Sequence, residues 1–490
     1  MLQLTSLPIS RIKAETLIVP VCEDRNLFHA QALKKLAASV KPIKTFSAQA
    51  GECLSQYRPP GLAIERVIFA GLGASGDLTP ERLRQAAGQS IRRAWHAQPG
   101  NAVLAIPDAP LPAKIPFDQA FEALAEGACL ANHTMAAYKS KPKTTPLKSI
   151  RMLVANPASR ANRALLNRIE KICRGTLMAR DWVNLPANEK SPRDLAAKII
   201  RASKSAGVAT TLMDARQLRR LKMGALLAVG EGSRHPPQML ILDHHPARAR
   251  ETLALVGKGV TFDAGGLNLK PTGAIEMMKI DMAGAAAVAA AVISAAALGL
   301  KKRIVGILPL VENMVSGSAF RPGDIVRSYA GQTIEIGNTD AEGRLILADA
   351  LAYAVKRYRP RAIIDLATLT GACVVALGDR IAGLFCEDEG LREKILLIGR
   401  DTHERCWSMP MPEDYRDLIK SDLADMRNIG PGRWGGAIVA ALFLSRFVED
   451  TPWAHIDIAG PAHTKKAQAY SEAGGTGFGV RLLCQLMEDF

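Results

Sequence analysis

Short apolar runs separated by amphipathic stretches recur along the first third of the chain. Residues 17–21, 65–72, 102–106 and 151–155 have the length and composition of buried strands. Between them, residues 80–96 read as a helix, with Thr79 at the N-cap and Pro80 at the first helical position. Strands alternating with helices predict an α/β domain with a mainly parallel sheet. Residues 139–146, rich in Lys, Pro and Thr, read as a loop, and 159–180 as a long helix leading onward. A second α/β pattern follows, with strands expected at 253–260, 303–310, 333–336 and 362–366 and helices at 283–298 and 345–358.

The run from Ala283 to Leu300 approaches membrane-spanning length, but it is mostly Ala and Gly and opens beside Asp281. A helix buried in a soluble core is expected, not a membrane span. With 490 residues the chain is too long for one core. The expected division is an N-terminal α/β domain at 1–160, a connecting helix at 161–180 and a second, larger α/β domain at 181–490.

Composition changes this picture only in places. Hydrophobic residues at 48% and charged residues at 22% describe an ordinary globular protein. Arg11, Lys13 and Glu15 interrupt the stretch where a signal peptide would be apolar, so no secretion is expected. The eight cysteines show no CxxC spacing and read as reduced thiols, which points to the cytoplasm. The net charge is +16, with roughly two thirds of the excess in the first third of the chain. Lys139, Lys141, Lys143, Lys148 and Arg151 form its densest cluster. A solvated loop is the default reading and contact with nucleic acid the alternative.

Gly71-Leu72-Gly73-Ala74-Ser75-Gly76 matches a dinucleotide-binding pattern. The helix signal comes only at Thr79-Pro80, and no acidic residue ends a second strand about 20 residues on. A tight turn between strand and helix accounts for these glycines.

Chemistry concentrates in three later patches. Gly257-Lys258-Gly259 leads to Phe262-Asp263, Leu269-Lys270-Pro271 to Lys279-Ile280-Asp281, and Asn338-Thr339 to Asp340-Ala341-Glu342-Gly343-Arg344. Asp263, Asp281, Asp340 and Glu342 all stand at ends of apolar segments, where α/β sheets build their sites. Such carboxylates repel unless cations compensate them, and two bridged divalent ions would do so. The residues alone reach a metal-assisted hydrolase, with a surface charge patch as the other reading. On the same footing Lys258 is an ordinary counter-ion to the acids. No HExxH helix or GxSxG elbow offers another hydrolytic centre.

Asn338-Thr339-Asp340-Ala341-Glu342-Gly343-Arg344-Leu345 closely resembles the signature of the leucyl aminopeptidase family, the cytosol aminopeptidases. Asn184-Leu185-Pro186-Ala187-Asn188, Asp365-Leu366-Ala367-Thr368-Leu369-Thr370-Gly371-Ala372 and Trp453-Ala454-His455-Ile456-Asp457-Ile458-Ala459-Gly460 follow the same family order. The resemblance implies a smaller, macro-like N-terminal α/β domain and a larger catalytic domain with a central mixed sheet flanked by helices. It implies two divalent ions, Mn or Zn, one held by Lys258, Asp263, Asp281 and Glu342 and the other by Asp263, Asp340 and Glu342. It further implies carbonyl polarisation by Lys270 and a bicarbonate base held by Arg344. Thr368, Leu369 and Gly371 would wall the substrate's amine and first side chain and Met278 would line that first pocket, with plain core as the other reading for all four. The implied reaction removes a Leu- or Met-like N-terminal residue from peptides, by a homohexamer with no membrane attachment.

Overall fold

A computed structural model describes residues 2–6, 8–40, 43–96, 100–111, 115–135, 138–141 and 144–490. The chain divides into two compact units, Met1–Arg174 with Lys466–Ala473, and Gly175–Lys465 with Gly474–Phe490.

In the first unit β1 (Leu2–Thr5), β2 (Thr16–Val21), β3 (Cys53–Tyr57), β4 (Arg66–Gly71), β5 (Asn101–Ala105) and β6 (Ser149–Leu153) form one sheet. Its order is β1-β6-β5-β2-β4-β3, and every neighbouring pair is parallel except β3 with β4. β2 and β4 are buried throughout, which is why they read as unbroken apolar runs without alternation. β6 begins two residues before the apolar run at 151–155. The ladder sets that start, since Ser149 already pairs with Asn101 and Lys148 N donates to Gly100 O at 2.8 Å.

The helix Pro80–Arg93 starts where its capping signal lies, with Thr79 Oγ1 accepting from Arg82 N at 3.2 Å. The glycine-rich turn before it is filled by the chain itself. The Asp24 carboxylate accepts from Ser75 N at 2.9 Å and Ser75 Oγ at 2.8 Å, which holds its pKa below the usual range. A carboxylate stands where a dinucleotide site would need a free amide.

In the second unit β7 (Ala209–Met213), β8 (Gln238–His244), β9 (Thr252–Gly257), β10 (Gly259–Asp263) and β11 (Arg303–Asn313) come first. After them come β12 (Ile325–Arg327), β13 (Thr333–Glu335), β14 (Ala362–Ala367), β15 (Ala382–Phe385), β16 (Cys406–Ser408), β17 (Met426–Arg427) and β18 (Trp453–Asp457). The main sheet has nine strands in the order β16-β15-β18-β14-β9-β11-β8-β7, with β10 also on β11. β18, β14, β9 and β11 are mutually parallel, so their carboxyl ends share one edge, while β8 and β15 join antiparallel. β12, β13 and β17 make a small separate sheet.

Residues 253–260, expected as one strand, are two. β9 and β10 pair with β11 in succession, and Lys258 breaks the run between them. Its N–H donates to Leu366 O at 3.0 Å and its carbonyl accepts from Ala285 N at 2.8 Å. Distant hydrogen bonds make this break, and apolar content carries no trace of them.

The helix Ala283–Leu298 is buried over most of its length. A Cβ on Gly284 would lie 2.1 Å from Leu366 O, and one on Gly257 2.6 Å from Ala285 Cα. Two glycines therefore let this helix start directly on the strand ends. The longer stretch Thr272–Leu298 passes for a membrane span by length and hydropathy, yet 83% of its most apolar window is buried inside the protein. The helix Glu342–Tyr358 begins three residues earlier than expected, which puts Glu342 and Arg344 in its first turn. An acidic side chain there complements the positive end of the helix dipole.

Candidate active site

The parallel strand ends deliver the chemical side chains. Lys258 follows β9, Asp263 ends β10, Thr368 follows β14, and Asn313 ends β11. Asp281 enters from the turn before the Ala283–Leu298 helix, while Asp340 and Glu342 enter at the start of the Glu342–Tyr358 helix. Single carboxylate oxygens of Asp263, Asp340 and Glu342 lie within 4.8 Å of one another.

Two ammonium groups offset part of this cluster's charge. Lys258 Nζ lies 2.8 Å from Asp281 Oδ1, 2.9 Å from Glu342 Oε1 and 2.8 Å from Thr368 O. Lys270 Nζ lies 2.9 Å from Asp263 Oδ2 and 2.5 Å from Asp340 Oδ1. A Cβ on Gly343 would stand 2.5 Å from Lys258 Cε, so glycine makes room for the lysine's arm. Burial pushes Asp281 up to about 6 and Glu342 up to about 8, with Asp263 adding repulsion to both. Burial also opposes charge on Lys258 and Lys270, but the surrounding acids outweigh it and raise both above the usual lysine value.

Asp281 Oδ2 and Glu342 Oε2 are buried and have no hydrogen-bond partner. Unpartnered carboxylate oxygens inside a protein are costly, and hard divalent cations take such oxygen ligands. The donor set thus fits metal ions. Arg344 is buried, donates from a terminal nitrogen to Asn428 O at 2.8 Å and leaves Nε buried without a partner. Burial lowers its pKa to about 10.

The other expected residues fall nearby with different parts to play. Thr368 donates from Oγ1 to Asp281 Oδ1 at 2.6 Å, so its hydroxyl orients a carboxylate. Leu369 and Met278 are half-buried and Gly371 is exposed. Asn313, given no role from sequence, donates from Nδ2 to Asp263 Oδ1 at 2.8 Å and to Thr339 O at 3.1 Å. The sequence carried no signal for it, since the strand expected at 303–310 stops short of Asn313. Asp457, also unassigned, accepts from Thr370 Oγ1 at 2.7 Å and from Leu369 N and Ala459 N at 3.1 Å each. It pins the loop after β14 from the end of β18.

Of the basic cluster in the first unit, Lys139, Lys141 and Lys148 are exposed, and Arg151 donates to Lys13 O at 2.5 Å. Lys143 lies outside the described residues.

Known proteins resemble this chain over nearly its whole length. The family pattern described as the cytosol aminopeptidase family, catalytic domain, matches residues 177–484, and that of its N-terminal domain matches 18–142. A probable cytosol aminopeptidase of Syntrophotalea carbinolica is 43% identical, with 98% of each chain covered. One from Chlorobaculum tepidum is 45% identical, covering 94% of this chain and 93% of the relative. The solved structure of bottromycin maturation enzyme BotP in complex with Mn is 35% identical with a TM-score of 0.87, covering 97% of this chain and 99% of that one.

Proposed function

We propose, for a chain that belongs to the cytosol aminopeptidase family, a leucyl-type exopeptidase working from the carboxylate cluster between Lys258 and Arg344. Membership carries the coarser activity, metal-dependent hydrolysis at the N-terminus of peptides. The observation that carries the finer reading is the convergence of four acids and two lysines on the ends of parallel strands, with two buried carboxylate oxygens left unpartnered.

In this reading Lys258, Asp263, Asp281 and Glu342 would hold one divalent ion, and Asp263, Asp340 and Glu342 would hold the other, with the Asp340 carbonyl joining. Mn or Zn at these positions supplies Lewis acidity and an activated water. Lys258 would ligate only as the neutral amine, its proton passing to solvent as a metal binds. Thr368 and Asn313 keep Asp281 and Asp263 aimed inward. Lys270 has a side chain 14% exposed, and reaches the scissile carbonyl from there to stabilise its developing negative charge. Arg344 would offer its free buried N–H to a small oxyanion such as bicarbonate, which would supply a general base there. Met278, Thr368, Leu369 and Gly371 receive a Leu- or Met-like side chain. The compartment is the cytoplasm, a reading supported by the relatives' names.

The test is cleavage of leucine p-nitroanilide beside its N-acetyl form. Turnover of the free amine alone, abolished by EDTA and restored by Mn, is expected. Equal cleavage of the blocked substrate, or full activity in verified metal-free protein, would remove the reading.

A second reading, nucleic-acid binding through the first domain, is supported by the +16 charge and the exposed Lys139, Lys141 and Lys148. Retardation of duplex DNA that weakens steeply with salt and is lost on neutralising these lysines would support it. No retardation at low salt ends it.

A further inference from the structure

The mechanism leaves Lys190 unused, although none of its surface is exposed. An ammonium inside a protein loses its hydration, and only well-placed acceptors offset that cost. All of the acceptors here are backbone carbonyls: Val183 O at 2.8 Å, Trp182 O at 3.2 Å and Lys279 O at 2.7 Å. Burial, with the nearby charge of Lys279 adding to it, lowers the Lys190 pKa to about 7, so the contact is made at a cost.

The position of the three carbonyls gives that cost a purpose. Trp182 and Val183 close the helix Arg160–Asn184, where last-turn carbonyls lack partners within the helix. Lys279 belongs to the short turn Met278–Ile280, which carries Met278 and runs directly into Asp281. A second bond returns across the same gap, from Lys279 Nζ to Asn184 O at 3.4 Å. A lysine serving only as a helix cap would leave its ammonium in water at far lower cost. Full burial, with a bond across to the turn, makes it a spacer of fixed length.

We infer that Lys190 is a positioning residue, which holds the Met278–Ile280 turn against the end of the Arg160–Asn184 helix. It thereby sets both the wall of the substrate's first pocket and the entry of Asp281 into the carboxylate cluster. This inference rests on the aminopeptidase reading for its pocket, but Asp281's placement is independent of any substrate.

The test compares full-length wild type with Lys190→Met, a side chain of similar length that donates no hydrogen bond. Leucine, methionine and alanine p-nitroanilides are assayed with Mn, and Mn binding is followed by calorimetry. The leucine-to-alanine ratio of kcat/KM falls about tenfold, mostly through KM, because a pocket wall shifted by an ångström loses selectivity. Mn binding weakens with it. A uniform fall across all three substrates with wild-type Mn affinity overturns the inference, as does no change at all. A wild type inactive on every substrate defeats the functional reading instead, and the Mn affinities then decide on Lys190 by themselves. Should Lys190→Met not fold, Lys279→Met removes the returning bond from a half-buried position. The same change in ratio supports the inference, and an unchanged ratio overturns it.

Discussion

Lys258 and Lys270 sit in one acidic cluster, yet their surroundings give them different work. Lys258 is enclosed and touches Asp281, Glu342 and the Thr368 carbonyl. Lys270 keeps part of its surface open and touches Asp263 and Asp340. The roles should therefore separate on mutation. Lys270→Met is expected to lower kcat by about a hundred- to a thousandfold, as loss of a charge-stabilising donor does, while Mn binding by calorimetry persists. Asp281→Ala should instead abolish Mn binding along with activity. Equal loss of Mn binding in both variants would place Lys270 among the groups that hold the metal site together. At this scale the sequence showed the acids and lysines themselves, because ionisable residues bracketed by Gly and Ala stand out. Asn313 was not legible, since one Asn at a strand end looks like any other until Asp263 is seen beside it.

The helix Glu342–Tyr358 carries the site at its first turn and is anchored in its middle by a second buried acid. Asp349 is fully buried and accepts from Leu226 N at 2.9 Å and Tyr329 N at 2.7 Å, tying this helix to Gly224–Gly230 and to the chain after β12. Asp349→Ala leaves both N–H groups buried without acceptors, and a loss of about 3 kcal/mol in denaturant titration is expected. Burial pushes the Asp349 pKa up to about 7. The folded state then holds its proton more tightly than the unfolded chain does. That contribution to stability is complete below the unfolded value of 3.8 and is lost as pH rises through about 7. In this window wild type should lose up to about 1.4 kcal/mol per pH unit relative to Asp349→Asn. Parallel pH profiles for the two proteins would show that Asp349 stays ionised in the fold. Helix and strand signals were legible at this scale wherever period and capping agreed, as at Thr79-Pro80. They missed short or half-exposed strands such as β7 and β16, held by pairing with their neighbours, and also the buried strands β8, β15 and β18.

The whole molecule raises the question of assembly. Val375 is 90% exposed and Trp434 83%, and Leu423 and Leu269 also face outward in the second unit. Contacts between copies of the chain would cover such side chains. Light scattering is expected to give six times the 52.6 kDa chain mass, and a monomer at micromolar concentration would refute the hexamer. Sequence alone determined the α/β class, the family and the identity of the acids and lysines. Local patterning specifies elements, and a long motif such as Asn338 to Leu345 specifies its family. Only the tertiary structure decided that Lys258 breaks a strand, that Asp24 fills the glycine turn, and that Lys190 reaches the turn before Asp281. Each of these depends on a hydrogen bond between residues far apart in sequence, and no period or composition along the chain records which distant acceptor a donor will meet.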